Sequence, residues 1–202
     1  MSESARVVDL AFGIAGGGVP DDYADMLWRA VRAVLPWLEA DAAAGVHPLA
    51  RVSSGPGPHY LSKYSRLTLR LAADKVDQAR ALCGAELDLS GPVKVGAAKV
   101  RMLAPAKVVY SPFVALGLAD EAMFVAECSR QLAALGINGR LIVGRPQTML
   151  AEDQPVLGFS LMLHGLAADD SLRLQSAGIG LQHKRGCGIF VQHKSIAAVG
   201  GD

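Results

Sequence analysis

The stretch Val7-Val8-Asp9-Leu10-Ala11-Phe12 reads as a strand, and Pro20-Asp21-Asp22 opens a helix after it. Tyr23, Met26, Leu27, Ala30, Val31, Val34 and Leu38 keep helical spacing and carry that helix to about residue 39. Acids in its first turn suit the positive end of the helix dipole, and Pro36 marks a bend or an end. Gly45-Val46-His47-Pro48 then leads into a second strand, and Gly55-Pro56-Gly57-Pro58 is a turn. Residues 60–71 alternate, with Leu67, Leu69 and Leu71 on one face and Tyr64, Arg66, Thr68 and Arg70 on the other. The spacing predicts a strand with one apolar and one open polar face. A short helix over 74–82 and a strand within 93–103 complete the order β-α-β-β-α-β.

The second half repeats that order. Residues 107–116 read as a strand, 120–135 as a helix ended by Gly136, and 140–150 with 156–166 as a hairpin. A short helix over 169–175 and a last strand at 189–192 follow. The expected fold class is α+β, with two tandem ferredoxin-like (RRM-like) units over residues 1–104 and 105–202. No sequence period of roughly 20 to 50 residues accompanies this duplication.

With 202 residues, 51% of them hydrophobic and 19% charged, the chain has enough apolar material for substantial cores. No apolar run approaches the roughly 18 residues of a membrane span. The first 20 residues carry acids and glycines in place of a basic end and an apolar segment, so the expected location is the cytoplasm. Cys83, Cys128 and Cys187 are odd in number and widely spaced, which fits reduced thiols. The net charge of +1 announces no polyanionic partner, but its distribution does more. Residues 42–73 hold Arg51, Lys63, Arg66 and Arg70 without an acid, and 89–119 hold Lys94, Lys99, Arg101 and Lys107 without one. Residues 171–201 repeat the pattern with Arg173, Lys184, Arg185 and Lys194. Acids gather in the helices, so the two signs can segregate onto different faces.

Near the carboxyl terminus, Gly178-Ile179-Gly180 and Gly186-Cys187-Gly188 bracket Leu181-Gln182-His183-Lys184-Arg185. Glycine lets a ligand approach the main chain closely, and Lys184 and Arg185 supply charge for phosphate oxygens. A lone triplet would read as a helix stop and a tight turn, but four glycines in register around a basic centre favour a polyanion site. A dinucleotide fingerprint is excluded by context, because apolar residues after Gly188 continue into a strand and not a helix. The doubled pattern, with Gly186-Cys187-Gly188-Ile189-Phe190-Val191 leading to His193-Lys194, resembles the signature loop of the CRISPR-associated endoribonucleases that cut precursor CRISPR RNA. It looks most like the MYXAN-type subgroup of the CRISPR-associated protein six family.

That resemblance implies a metal-independent endoribonuclease, without a cofactor, acting on CRISPR repeat RNA. It would leave 2′,3′-cyclic phosphate and 5′-hydroxyl ends and stay with the guide RNA as a subunit of a surveillance complex. RNA carries its own nucleophile in the 2′-hydroxyl, so a proton-transfer group near neutral pH suffices, and histidine is the natural choice. Among His47, His59, His164, His183 and His193, the resemblance favours His47, which follows the first helix where the family's general acid or base commonly sits. On the residues alone, a helix-end histidine bonding the last carbonyls competes with that role. His59 reads as a solvated turn residue, and His164 and His193 as structural.

Lys63 and Arg66 are the cations nearest His47 across the expected hairpin, Lys63 as a stabiliser of phosphorane charge and Arg66 as a phosphate ligand. Tyr60 and Tyr64 are alternatives as acid or stacking ring. Gly178, Gly180, His183, Lys184, Arg185, Gly186 and Gly188 are the expected RNA-binding loop residues. A metal site from His183, Cys187 and His193 lacks a fourth ligand nearby, and no serine sits in a Gly-x-Ser-x-Gly elbow. Two further functions stay open: a non-catalytic repeat-hairpin RNA-binding subunit, and an enzyme holding a small phosphorylated ligand at the glycine loop.

Overall fold

A computed structural model of the chain describes residues 6–50, 59–152 and 154–194. Two units divide it, Met1–Met102 and Leu103–Asp202. In the first, β1 (Val7–Gly16) is followed by the short β2 (Gly18–Val19), α1 (Tyr23–Val34), β3 (Gly45–Val46), β4 (His59–Tyr60) and β5 (Arg66–Ala72). Then come α2 (Val76–Ala79), β6 (Glu86–Asp88) and β7 (Pro92–Met102). The main sheet runs β3-β5-β1-β7-β6, antiparallel at every pairing. Side chains alternate across a strand, so Val8, Leu10 and Phe12 share the core face with Leu67, Leu69 and Leu71. Leu27, Trp28 and Val31 of α1 join the same core. Each such burial contributes about 1.5–3 kcal/mol. The same period places Asp9 on the opposite face, in register with Arg70 on β5 and Arg101 on β7.

The second unit holds β8 (Val108–Ala115), α3 (Glu121–Ala134), β9 (Arg140–Ala151), β10 (Gln154–His164), α4 (Ala168–Ala177) and β11 (Val191–Gln192). Its antiparallel sheet runs β11-β8-β10-β9. The Asp120 carboxylate caps α3 by accepting from the Met123 amide at 2.8 Å, and Phe124 on that helix meets Phe159 of β10 with ring centroids 4.6 Å apart.

Several expectations change. The strand over 60–71 is broken: His59–Tyr60 pairs with Gly18–Val19 in a separate ribbon, and the Ser65 amide donates to Ser62 O at 2.9 Å in a turn before β5. Alternation survives that turn, so the sequence pattern hid it. The face expected to be open and polar is closed at Arg70, which is only 4% exposed because Asp9 draws it in. The first helix ends at Val34, and Pro36–Glu39 continues as a 3-10 turn, as Pro36 foretold. The helix over 74–82 is a four-residue α2 between two 3-10 turns. The last strand shrinks to Val191–Gln192, because Ile189 and Phe190 turn into the core. Gly55-Pro56-Gly57-Pro58 lies outside the described residues.

Candidate functional site

Three elements fix His47. Its amide donates to Thr68 O on β5 at 2.9 Å, continuing the β3–β5 ladder. Two residues on, the Leu49 amide donates to the Tyr23 hydroxyl of α1 at 2.8 Å. Pro48 between them restricts His47 to extended backbone. The imidazole Nε2 then lies 3.1 Å from Oδ1 of Asp9 on β1. Asp9 is itself gripped by the Arg70 guanidinium, Nε to Oδ1 at 2.8 Å and a terminal nitrogen to Oδ2 at 3.0 Å. Such a fork matches a carboxylate with two parallel, charge-assisted bonds.

The electrostatics follow from this chain of contacts. Burial acts most strongly on His47 and lowers its pKa below the ordinary 6.5, assisted by the Arg70 charge and opposed by Asp9. Burial alone would raise the Asp9 carboxyl, but the hydrogen bonds and charges of His47 and Arg70 outweigh it and hold the group well below the carboxylate range. At neutral pH the site is therefore an ionised carboxylate between an arginine and a neutral imidazole. An imidazole in that state can accept a proton.

The two cations expected beside His47 have other contacts. Lys63 is exposed in the turn before β5 with its ammonium 5.1 Å from the Tyr64 ring centroid. Arg66 donates to the Lys63 and Ser65 carbonyls at 2.8 and 2.7 Å. Neither is among the recorded partners of His47; Asp9 and Arg70 are. His59 pairs with Asp21 at 2.5 Å, which ties β4 to the start of α1. Tyr60 and Tyr64 are both exposed.

In the second unit the glycine loop is packed against itself. Gly178 ends α4 at φ 63°, and a side chain there would lie 2.6 Å from Gly188 O. At Gly188, φ 65°, a Cβ would come within 2.0 Å of Ile179 O. The His183 ring fills the space beside both glycines, 3.0 Å from where either Cβ would stand. Gly188 and Leu181 anchor the loop to β8 by donating to Phe113 O at 2.7 Å and Ala115 O at 2.9 Å. The glycines thus serve close backbone approach inside the loop. His183–Arg185 forms a 3-10 turn ending at Gly186. Arg185 bonds Gln182 at 2.8 Å and Glu152 at 2.7 Å, with only 9% of its side chain exposed, while Lys184 is half-buried.

A family model described as Cas6 Crispr matches residues 8–195. The chain belongs to the Cas6 family. It is 38% identical over 194 residues to the CRISPR-associated endonuclease Cas6 of Myxococcus xanthus (strain DK1622), covering 95% of this chain and 84% of that protein. Among solved structures, a CRISPR associated protein Cas6 superposes with a TM-score of 0.67 at 13% identity, over 94% of this chain and all of its own length, 100%. A Thermus thermophilus Cse3 bound to an RNA representing a pre-cleavage complex superposes with a TM-score of 0.54 at 14% identity, covering 92% and 98% of the two chains. These likenesses establish a Cas6 fold of mixed α and β structure.

Within this Cas6 chain, Asp9 and Arg70 are the partners that residue patterns pointed to least. Their signal was nonetheless present: Asp9 is the one charge in an otherwise apolar strand, and Arg70 carries the opposite sign on the polar face of an alternating one. Linking them needed the β1–β5 register.

Proposed function

We propose that the protein is a metal-independent endoribonuclease that cuts the repeats of precursor CRISPR RNA, with His47 as the proton-transfer group. The observation that carries this reading is the buried His47 imidazole, fixed 3.1 Å from the Asp9 carboxylate. The RNA 2′-hydroxyl is the nucleophile, so the products are a 2′,3′-cyclic phosphate and a 5′-hydroxyl. The name of the Myxococcus xanthus relative and the RNA held by Thermus thermophilus Cse3 support the substrate class. The four-strand order β3-β5-β1-β7, to which β6 adds an edge, and the order β11-β8-β10-β9 support two ferredoxin-like units, 1–104 and 105–202.

In this proposal Lys63 supplies charge to the phosphorane and Arg66 contacts RNA phosphate. The loop of Gly178, Gly180, His183, Lys184, Arg185, Gly186 and Gly188 meets the RNA backbone, its cations held by a rigid turn. The processed guide stays bound, as in a surveillance-complex subunit in the cytoplasm. His47→Ala is expected to lower single-turnover cleavage of repeat RNA in EDTA by about 10²- to 10⁴-fold while binding stays within a few fold. Undiminished cutting by that variant sinks the assignment. A second reading, a repeat-binding subunit without activity, is favoured by the enclosure of His47, whose side chain is only 12% exposed. Retention of intact RNA by the wild-type protein in the same assay would select it.

A further inference from the structure

We propose that Asp9, gripped by Arg70, is the positioning residue of His47: it pins the imidazole proton on Nε2 and leaves the Nδ1 lone pair to take the proton of an RNA 2′-hydroxyl. This makes His47 a general base and rests on the endoribonuclease reading above. Donors and acceptors decide the tautomer. An ionised carboxylate only accepts, and Asp9 receives Arg70 at both oxygens, 2.8 and 3.0 Å. The group 3.1 Å from its Oδ1 must therefore donate, so Nε2 carries the hydrogen in the neutral ring. No described residue is recorded as a partner of Nδ1.

A structural role explains this arrangement poorly. A buried ion pair is weak evidence for stability, since apolar residues of similar volume often serve a fold as well. Here the carboxylate, at 16% exposure, and the guanidinium, at 4%, converge on the one imidazole whose backbone is already fixed by β5 and α1. The charged groups recorded on His47 are Asp9 from β1 and Arg70 from β5. Arg101 stands opposite Asp9 on β7, and Tyr23 of α1 reaches the backbone two residues after the histidine.

The 2′-oxygen gives its proton to Nδ1 and forms a bond to phosphorus. The bond from phosphorus to the 5′-oxygen breaks with its electron pair on that oxygen, which takes a proton from a solvent water. The imidazolium, steadied by Asp9, returns its proton to the hydroxide so formed.

The test combines single-turnover cleavage of repeat RNA over about pH 5 to 9 with nitrogen NMR of histidine-labelled wild-type protein. The expected NMR result is the Nε2–H tautomer for His47 in the absence of RNA, a readout that needs no variant to fold. Asp9→Asn is expected to lower the plateau rate roughly 10- to 100-fold and to move the acid limb to lower pH, because the carboxylate raises the His47 pKa. Arg70→Gln is expected to move that limb to higher pH, because the guanidinium lowers it. A contact with no coupling to the proton-transfer group would move neither limb. An Nδ1–H tautomer in the wild type overturns the proposal, as do unmoved limbs in both variants when His47→Ala is inactive. Full activity of His47→Ala, with the Nε2–H signal present, instead brings down the endoribonuclease assignment of His47.

Discussion

His47 and His183 both lie within a few residues of glycine, yet their surroundings are opposite. Around His47 the neighbours are charges: a carboxylate at 3.1 Å and, beyond it, a guanidinium. Around His183 they are glycine backbones, with its Nε2 3.4 Å from the Ile179 carbonyl. The first environment sets the protonation and direction of a ring; the second uses a ring to fill space that side chains cannot enter. Residue type alone therefore says little about a histidine, and the sign of what touches it says much.

The largest expected contrast is chemical. His47→Gln should lose about 10²- to 10⁴-fold in single-turnover cleavage, whereas His183→Gln should stay within about tenfold, well under the contribution of a proton-transfer group. Equal losses in both would erase the distinction drawn between them. A second contrast concerns glycine. Gly188→Ala, at φ 65° with Ile179 O at 2.0 Å, should destabilise the protein by more than the roughly 1–3 kcal/mol of left-handed strain alone. Gly13→Ala, where a Cβ meets nothing within 4 Å, should be neutral to within about 1 kcal/mol in urea unfolding.

Acid should separate the regions more gently. The folded pKa of His47 lies below the unfolded 6.5, so in that window the unfolded chain binds more protons and stability falls as pH drops below 6.5. Asp9, lowered from 3.8, adds a further loss in stronger acid. The urea midpoint of the wild type should decline through the first window, and His47→Gln should flatten that arm. A wild-type midpoint that holds steady on acidification would contradict the shifted histidine. Smallest is the effect expected at the loop surface: Lys184→Ala should weaken RNA binding a few fold at low salt and reduce the salt slope by about 1. An unchanged slope would remove Lys184 from the RNA interface.

Much of the fold was legible because hydrophobic period is local. Leu67, Leu69 and Leu71 alternate as a strand must, and the α1 stripe keeps helical spacing, so element types followed directly. The turn at Ser62–Ser65 was missed because alternation runs through it, and the ribbon of His59–Tyr60 with Gly18–Val19 was missed because two-residue strands carry no period. At the site, His47 was singled out by the family resemblance, which places a proton-transfer group just after the first helix. Lys63 was chosen beside it by nearness in sequence, and its ammonium lies 5.1 Å from the Tyr64 ring centroid.

The sequence by itself determined the alternation of strands and helices in both halves and the glycine loop whose family resemblance drew attention to His47. The alternation and the loop depend on residues close together in the chain. Only the tertiary structure decided what His47 touches, because Asp9 is 38 residues before it and Arg70 lies on the far side of the β4 ribbon. Their meeting depends on the antiparallel register of β1 and β5, in which a one-residue slip would send Asp9 into the apolar core and leave the imidazole without a carboxylate.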